Sequence, residues 1–528
     1  MADADPNRET ELKLAARPED LPALRSAPAL GAASRAATSA LESVYYDTPD
    51  QRLARQLVSL RVRRKGKRFV QTLKGPPFAG GGLGRAEWEC PVPGPALDLS
   101  LFTEPDARAL LDSVGMEELQ PMFTTAVQRT VRVLEGGGSV IEVAFDNGEI
   151  RTPAGAVLPL CEVELELKQG ESKALFDLAL ELAKTAPLRL ESRTKAARGF
   201  ALAAGAVDES VKAEKIALSP EVTVEGALCR IVSNCLAHLA ANEACSLKGD
   251  DPEGIHQMRV ALRRLRSALA LFRPYVPAEQ YDWLVGEVKW LGGHLGPARD
   301  WDVFLTDLLE PVRKGLERTN VQEAPLFSGI DALESAARAR RDAAYQGARE
   351  AILSPRYTAF MLRLGAWLED QGWRAQPVSE ESARLLQPVI TLADELLTKR
   401  RKRARKDGQG FAELSVEDRH QLRIALKKLR YAAEFFRSLY EDKAARRYIQ
   451  RLAAFQDALG HLNDVATATR LLHDLHADGS RAGTGERRAA GLVIGWLARG
   501  VADLEAHLNE QWDGFDRAKP FWSRARAE

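Results

Sequence analysis

Two glutamates and a lysine alternate near the start of the chain, in Glu9-Thr10-Glu11-Leu12-Lys13. On a β-strand, residues i, i+2 and i+4 share one face, so two carboxylates and an ammonium group would point the same way. Carboxylates hold hard divalent cations such as Mg²⁺, and lysine or arginine side chains hold phosphate oxygens. The segment therefore indicates a strand able to bring a metal ion and a phosphate group together.

The same alternation recurs before about residue 205. Charged positions alternate with apolar ones at Arg61 and Arg63, at Glu87 and Glu89, and at Glu162, Glu164, Glu166 and Lys168. An antiparallel sheet with one wet face also alternates, but such a face usually includes Thr, Ser and Gln as well. If the strands close into a barrel, the charged face lines its lumen. Unpaired charges there would be very costly, and metal ions with a polyanion would remove that cost.

The order of these segments resembles the CYTH family, also called triphosphate tunnel metalloenzymes, over about residues 7–202. After the ExExK motif at Glu9–Lys13, seven further family elements match at Tyr45-Tyr46-Asp47-Thr48, Leu60-Arg61-Val62-Arg63, Thr72-Leu73-Lys74, Arg85-Ala86-Glu87-Trp88-Glu89, Phe145-Asp146-Asn147-Gly148, Glu162-Val163-Glu164-Leu165-Glu166-Leu167 and Ser192-Arg193-Thr194-Lys195. ExExK alone is a weak signal, whereas the ordered series of eight is specific. No charged position of the series is lost.

This resemblance implies hydrolysis of a triphosphate with Mg²⁺ or Mn²⁺ as the cofactor. By analogy with the family, the metal ligands are Glu9, Glu11, Asp146, Glu162 and Glu164. The groups that grip the phosphate chain are Arg61, Arg63, Lys74, Arg85, Arg129 and Lys195. Lys13 and Tyr45 are a candidate pair for activating the attacking water, although either residue could instead bind phosphate.

A second pattern is a duplication in the later part of the chain. Residues 256–266 read HQMRVALRRLR and residues 420–430 read HQLRIALKKLR, with seven of eleven positions identical at an offset of 164. Leu295-Gly296 and Asp300 recur at the same offset as Leu459-Gly460 and Asp464. On a helix each copy carries one apolar stripe and one cationic stripe that includes a histidine. Like charges spaced this way repel, so a bound anion would offset the repulsion, although a solvated face is the simpler alternative.

The duplicated segments resemble the CHAD family over about residues 220–520. That resemblance implies two pseudo-symmetric four-helix bundles that bind inorganic polyphosphate along a basic surface. The residues it implicates are His256, Arg259, Arg263, Arg266, His420, Arg423, Lys427 and Arg430. The second copy departs mildly, because Lys427 and Lys428 lack the bidentate fork of arginine. Each histidine could be a phosphate donor, a metal ligand or a residue that starts the helix.

Elements that must position these residues change in type near residue 205. Before it, period-two runs between Gly and Pro turns predict antiparallel strands; after about residue 220, apolar spacings of three and four predict helices. We expect a multidomain α+β protein: a closed antiparallel β-barrel with flanking helices, then an all-α domain of two repeated bundles. The predicted boundaries are residues 1–205 for the barrel, 206–220 for a linker, and 221–375 and 376–528 for the two bundles. The cationic tract Lys399–Lys406 is either a solvated face or flexible arm, or an extension of the basic surface through Arg400 and Arg403.

The composition says more about the cellular environment of the protein than about its function. The 528 residues have zero formal net charge, so the mean composition names no partner. Five scattered cysteines form no CxxC pair and predict a reducing, cytoplasmic environment. The acidic start does not resemble a secretory signal, and the sequence has no apolar run long enough to predict a membrane span or membrane partner.

The sequence is compatible with several functions. The leading hypothesis is an inorganic triphosphatase joined to a polyphosphate-binding helical domain. Alternatives on the same tunnel are a thiamine triphosphatase, a nucleoside triphosphatase or an adenylate cyclase, and a non-enzymatic alternative is a targeting protein that only binds polyphosphate. Nucleic acid ranks last as a partner, because the basic helices lack the interleaved surface aromatics of a single-strand binder.

Overall fold

The computed structural model describes residues 8–77, 83–206, 208–318, 324–477 and 483–523. The described chain forms two compact units. The first holds the residues up to Val211 together with Leu236–Lys248 and Ile352–Ala375, and the second holds the rest. Two helical segments that lie among the repeats in sequence therefore belong to the first unit. The domain boundaries expected at residues 205, 220 and 375 stay predictions.

A closed antiparallel barrel forms the centre of the first unit, which confirms the predicted fold class. Its described strands are β1 Arg8–Ala15, β2 Ala37–Asp47, β3 Ser59–Lys65, β4 Arg68–Pro77, β5 Gly84–Val92, β6 Gln120–Gly136, β7 Ser139–Arg151, β8 Val157–Gln169 and β9 Arg189–Leu190. The order is β5-β4-β3-β2-β6-β7-β8-β1, and β1 also pairs with β5. That last pairing closes the sheet and gives it a lumen. The short strand β9 pairs with the end of β1.

Strand β1 shows why the sheet closes around charge. Leu12 and Leu14 face outward and join an apolar cluster with Leu175 and Phe176, while the alternate residues of the strand face the lumen. Both faces are buried, so burial of the apolar face stabilises the barrel by the hydrophobic effect. The other face must pair its charges internally.

Helices flank the barrel in the first unit. They are α1 Leu21–Arg25, α2 Arg52–Arg55, α3 Pro105–Leu111, α4 Lys173–Ala183, α5 Lys195–Ala203, the end of α6 Val224–Ala241, α7 Glu243–Lys248 and α12 Pro355–Glu369. Helix α12 packs against α4 and β9, and its Leu362 is fully buried in the same cluster as Leu12.

The second unit is helical and repeats its architecture. Its helices are the greater part of α6, then α8 Glu253–Leu271, α9 Ala278–Val303, α10 Glu310–Arg318, α11 Ala324–Ile352, α13 Glu380–Ala383, α14 Val389–Asp407, α15 Val416–Phe436, α16 Asp442–Ala477 and α17 Thr484–Asp516, with a π-helical turn at Phe304–Leu309. Helices α14, α15 and α16 begin within one residue of the 164-residue offset from α6, α8 and α9. The duplication in sequence is therefore a duplication of helices.

Contacts across the repeats hold the second unit together. Helix α8 packs against α15, and α9 packs against α16. A cluster of buried apolar residues combines Trp301, Phe304 and Leu333 from the first copy with Leu472 and Val493 from the second. The two copies thus share one core.

The cysteines and the polarity of the helices are the remaining features of the fold. All five cysteines are free thiols. Every helix in the described ranges is too short or too polar to cross a lipid bilayer.

Candidate active site and basic groove

The barrel encloses a cavity of about 500 Å³ whose wall is almost wholly charged. Its cationic lining is Arg8, Lys13, Arg61, Arg63, Lys74, Arg85, Arg129, Lys168 and Lys195. Its acidic lining is Glu9, Glu11, Glu87, Glu89, Glu142, Glu164 and Glu166. Such a wall suits a small, highly charged ligand better than an apolar one.

Strand β1 supplies one carboxylate group of the site. Glu9, Glu11 and Lys13 are buried on its lumen face. Both oxygens of Glu9 accept from Lys74 Nζ, at 2.7 and 2.6 Å, and Lys74 lies 3.2 Å from Glu87. Glu11 accepts from Lys13. The lysines therefore hold these carboxylates in place on the wall of the lumen.

A second carboxylate group lies deeper in the barrel. Asp146, Glu162 and Glu164 place one oxygen each within 4.8 Å of one another, and no other such triad occurs among the described residues. All three converge on Lys195 Nζ, which lies 2.7 Å from both Asp146 and Glu164 and also contacts Glu162. The lysine ammonium thus stands where the three carboxylates could hold a cation.

Two glycines let the backbone come close enough to build this deeper group. A Cβ atom on Gly148 would lie 2.0 Å from the carbonyl oxygen of Ala126, so only glycine allows β7 this approach to β6. Asp146 then stands opposite Arg129 in the ladder, and its oxygens accept from Arg129 Nε at 2.8 Å and Nη2 at 2.6 Å. A Cβ atom on Gly199 would lie 2.1 Å from the ring of Phe123, so glycine also lets α5 reach the barrel.

The opposite part of the wall is cationic and incompletely paired. Arg63 donates to Ser43 Oγ at 3.2 Å and makes no ion pair with any residue that the structure describes. Arg61 donates to the hydroxyl of Tyr45 at 3.3 Å, and the Nε atoms of Arg61 and Arg85 are buried without a hydrogen-bond partner in the described chain. Buried donors of this kind are rare unless a ligand or water satisfies them.

These charges shift the protonation of their neighbours. Burial, reinforced by Arg61 and Arg129, lowers the pKa of Arg63 to about 10. Burial alone would raise the pKa of Tyr45, but Arg61 and Arg63 outweigh it and hold that pKa below its usual value. Positive charge in this part of the cavity contributes to both shifts, after burial for Arg63 and against burial for Tyr45.

The two glutamates of β1 differ in protonation. Burial, with the charges of Glu11 and Glu87, raises the pKa of Glu9 to about 7 even though Lys74 opposes it. Burial also favours neutral Glu11, but Lys13 and Lys74 outweigh it and lower that pKa to about 2. Near pH 7 Glu9 is therefore partly protonated and Glu11 is ionised, and a bound cation would favour the ionised form of Glu9.

The residues singled out from sequence come together in this barrel. Lys13, Tyr45, Glu9, Glu11, Glu164 and all six of the phosphate-gripping candidates line the cavity, whereas Asp146 and Glu162 are fully buried behind its wall. Sequence reasoning missed Arg198, which donates to Glu162. It follows Lys195 by three residues on α5, and that spacing on a helix was the available signal.

The carboxylates fit a hard divalent cation by their chemistry. Oxygen donors are what Mg²⁺ and Mn²⁺ prefer, and two groups of them reach the same barrel. Each oxygen of the deeper triad that now faces an ammonium or guanidinium group could face a metal ion instead. Glu9 and Glu11 offer further oxygens from the cavity wall.

A second cavity of about 500 Å³ lies in the helical unit. Both copies of the repeated motif line it, through His256, Arg259, Arg263, Arg423, Lys427 and Arg430. Arg266 and His420 are exposed and lie outside this lining. We call this cavity the basic groove.

Charges in the basic groove repel one another. Burial, followed by the nearby cations Arg299, Arg263 and Arg259, lowers the pKa of His256 to about 4. Burial, then Arg423 and Arg263, lowers the pKa of Lys427 to about 7. The Nε atoms of Arg259 and Arg423 are buried without a hydrogen-bond partner among the described residues. An anion in the groove would offset the repulsion among these cations and could accept hydrogen bonds from the two Nε atoms.

Comparison with known proteins gives evidence that is independent of the geometry of the site. Residues 7–200 match the family model of the CYTH domain, and residues 230–473 match that of the CHAD domain. An inorganic triphosphatase of Haemophilus influenzae is 36% identical over 166 residues, which are 31% of this chain and 46% of that protein, so the chain matches about half of that relative's length.

Two further proteins are similar over longer stretches. An uncharacterised protein of Mycobacterium tuberculosis is 26% identical over 416 residues, which cover 75% of this chain and 76% of that protein. The crystal structure of the CHAD domain from the plant Ricinus communis, 33% identical, covers 59% of this chain and 98% of that chain with a TM-score of 0.49.

Proposed function

Because the chain joins a CYTH domain to a CHAD domain, we propose that it is a metal-dependent inorganic triphosphatase whose helical unit binds inorganic polyphosphate. The similarity to the Haemophilus influenzae inorganic triphosphatase supports triphosphate hydrolysis by the barrel. The free thiols are consistent with a reducing, cytoplasmic location.

The observation that carries the proposal is the unpaired Arg63 among the other cations of the barrel cavity. The cavity lining has nine cations and seven carboxylates, so a phosphate chain would meet a net positive wall. Arg63 and the Nε donors of Arg61 and Arg85 supply hydrogen bonds that the described protein leaves unused. Arginine binds phosphate oxygens through such donors.

The same lining favours a substrate without a base. Tyr45 is the one aromatic residue among the described lining residues, and its ring is stacked on Phe123 at 4.6 Å between centroids. The ring is also only 2% exposed, so it offers no free face for a nucleobase or a thiamine ring. Nucleoside triphosphate, thiamine triphosphate and adenylate cyclase chemistry remain the alternatives, together with a targeting protein that binds polyphosphate without hydrolysis.

Each group has a defined task in the proposed reaction. Arg61, Arg63, Lys74, Arg85, Arg129 and Lys195 bind the phosphate oxygens and stabilise the charge that is redistributed during in-line displacement. Glu9, Glu11, Asp146, Glu162 and Glu164 hold Mg²⁺ or Mn²⁺, which when bound neutralises phosphate charge and lowers the pKa of water.

Lys13 and Tyr45 are the proposed pair for the attacking water. The phenol of Tyr45 lies in the cationic part of the cavity, and its lowered pKa makes the phenolate form, which can accept a proton, more accessible there than in an ordinary tyrosine. Lys13 stands on the opposite carboxylate-rich strand, next to Glu164 in the ladder.

The basic groove is proposed to hold the longer polymer. Cations from both copies of the motif reach it, and burial and then mutual repulsion lower their pKa values against the opposing charges of Asp300 and Asp464. Polyphosphate carries a negative charge at every unit, so it can satisfy several of these donors at once.

Phosphate release tests the catalytic proposal. Purified protein is offered tripolyphosphate, ATP and thiamine triphosphate with Mg²⁺ or Mn²⁺, and tripolyphosphate should be hydrolysed fastest. The variants Glu9→Gln and Glu11→Gln should lose at least about a hundredfold in turnover. The control is Glu42→Gln, an exposed glutamate paired with Arg64. Absence of turnover with all three substrates would sink the enzyme proposal.

Binding of labelled polyphosphate tests the groove. The double variant Arg259→Ala/Arg423→Ala should weaken binding strongly, because it removes one arginine from each copy of the motif. Arg487→Ala/Arg488→Ala removes two exposed arginines from α17 and controls for net charge. Tripolyphosphate turnover of the same proteins then shows whether hydrolysis and polymer binding are separate tasks.

A further inference from the structure

The helical unit has another basic pocket, which neither repeated motif lines. It is a cavity of about 500 Å³ at the start of α16 and the segment after α17. Its cations are Lys443, Arg447, Arg451, Arg517 and Lys519, and Glu441 is the acidic residue among its described lining. We call it the α16 pocket.

Most of these cations are available to a ligand. Lys443, Arg447, Arg451 and Lys519 are exposed, and none of the four makes an ion pair within the described chain. The first three follow one another at four-residue spacing on one helix, where like charges repel. An anion bound between them would offset that repulsion.

The pocket has a fixed frame. Arg401 Nη2 donates to the carbonyl oxygens of Asp516 at 3.1 Å and Ala518 at 3.0 Å, which ties the segment after α17 to α14. The ring of Tyr448 packs against Phe521 with 5.6 Å between centroids. The pocket therefore needs little rearrangement to bind, which reduces the entropy lost on binding.

The first copy of the repeat has no equivalent cations. At the 164-residue offset, Lys443, Arg447 and Arg451 correspond to Glu279, Trp283 and Glu287. A requirement of the duplicated helical framework would apply to both copies, so the framework does not explain this cluster. The cationic tract Lys399–Lys406 is likewise matched in the first copy by neutral residues 235–242.

We propose that the α16 pocket is a second phosphate-binding site, which takes a stretch of inorganic polyphosphate outside the basic groove. The inference rests on the proposed binding of polyphosphate by this unit. Tyr448 and Phe521 are only 3% and 5% exposed, so they offer no free ring on which a base could stack; this favours a base-free polymer over nucleic acid. Two sites on one chain raise the overall affinity, because the second contact becomes intramolecular.

A matched pair of variants tests the pocket. Binding of fluorescent long-chain polyphosphate to the full chain is measured at several salt concentrations. We expect Arg447→Ala/Arg451→Ala to weaken binding roughly two- to thirtyfold. The slope of log affinity against log salt concentration should become shallower by about two. Arg487→Ala/Arg488→Ala removes the same charge elsewhere on the unit and should leave both quantities unchanged.

Lysine footprinting locates the contact directly. Acetylation of Lys443 and Lys519, read by mass spectrometry, should slow when polyphosphate is added. The protection should persist in Arg259→Ala/Arg423→Ala at a polyphosphate concentration that saturates the pocket, because the two sites share no lining residue.

The outcomes separate this inference from the proposed function. If the unaltered protein binds no polyphosphate, both fail. If it binds but Arg447→Ala/Arg451→Ala matches the unaltered protein, or both double variants weaken binding equally, the α16 pocket is not a site. If single-stranded DNA protects the two lysines better than polyphosphate does, the ligand class is wrong.

Discussion

The guanidinium of Arg259 on α8 lies beside Gly296 on α9, with its Nη1 atom 3.0 Å from the point where a Cβ atom would stand. The same atom donates to the carbonyl oxygen of Gly292 at 3.3 Å. The second copy repeats the pair more loosely, because Arg423 Nη2 lies 3.7 Å from the Cβ position of Gly460. The recurring glycine thus makes room for the arginine of each motif.

Alanine at Gly460 should stabilise the protein, whereas alanine at Gly296 should not. Gly460→Ala has ordinary van der Waals room and should stabilise α16 by about 1 kcal/mol, the usual gain in a helix interior. Gly296→Ala must displace Arg259, and a residue with a Cβ atom directly before Pro297 is disfavoured in the helical conformation. We expect it to gain no stability and to weaken polyphosphate binding. Urea unfolding and polyphosphate titration check both, and equal behaviour of the two variants would contradict the packing argument.

Lys195 is the internal counter-ion of the buried Asp146 and Glu162 and of the half-buried Glu164. Replacing it with methionine should cost about 3–5 kcal/mol, because removing one partner leaves buried charge uncompensated. Mg²⁺ or Mn²⁺ should restore more of the lost stability than it adds to the unaltered protein, since a ligand that binds only the folded state stabilises it. Thermal unfolding with and without chelator measures this.

Lys184→Met is the matched control, because Lys184 is exposed and pairs only at the surface with Glu181. It should change the unfolding temperature little in either condition. If divalent cations stabilise Lys195→Met no more than Lys184→Met, the three carboxylates around Lys195 do not hold the metal.

The alternation of charged and apolar residues predicted antiparallel strands with one charged face, and the resemblance to the CYTH family predicted that they close into a barrel. A strand such as β1, with Leu12 and Leu14 on one face and charges on the other, is buried on both sides only if the charged face is enclosed. The motif residues were assigned to one lumen by the same resemblance. Arg198 could not be predicted, because its contact with Glu162 depends on how α5 packs against the barrel. The local sequence does not specify that packing.

The sequence also could not predict which of the two units each helix packs into. α12 has the helical pattern of the repeats, yet its Leu362 packs in the core of the barrel unit. Periodicity predicts which face of a helix is apolar but not which core that face joins. His256 and His420 show the same limit: the two copies of one motif place one histidine in the basic groove and leave the other exposed.

Gly199 fixes the depth at which α5 enters the barrel. A methyl group there would overlap the ring of Phe123, which is 1% exposed and stacked on Tyr45. Gly199→Ala should therefore destabilise the protein by about 1–3 kcal/mol, as overpacking does, and should slow triphosphate hydrolysis by shifting Lys195. Chemical unfolding and phosphate release measure the two effects.

Gly286→Ala is the control for helix propensity, since a Cβ atom on Gly286 in α9 meets nothing within 4 Å. It should raise stability by about 1 kcal/mol and leave hydrolysis unchanged. A Gly199→Ala protein as stable and active as the unaltered one would show that α5 does not need this close approach.

Lys427 should make polyphosphate binding depend on pH. Its pKa is lowered to about 7 by burial and by Arg423 and Arg263, with Arg259 adding to the repulsion and Asp464 opposing it. An unfolded lysine titrates near 10.4, so the unfolded state binds more protons from about pH 7 to 10. The ligand-free protein should therefore gain stability as pH rises through this window, and the penalty for charging Lys427 is fully present below it.

Polyphosphate reverses the preference, because its negative charge favours the protonated amine. Binding at about pH 8 should take up a substantial fraction of one proton, and affinity should fall as pH rises from about 7. Calorimetry in two buffers of different ionisation enthalpy measures the uptake directly. Lys427→Met should abolish it, whereas Lys314→Met, an exposed lysine paired with Glu310, should not. Uptake that survives Lys427→Met would assign the proton to another group of the basic groove.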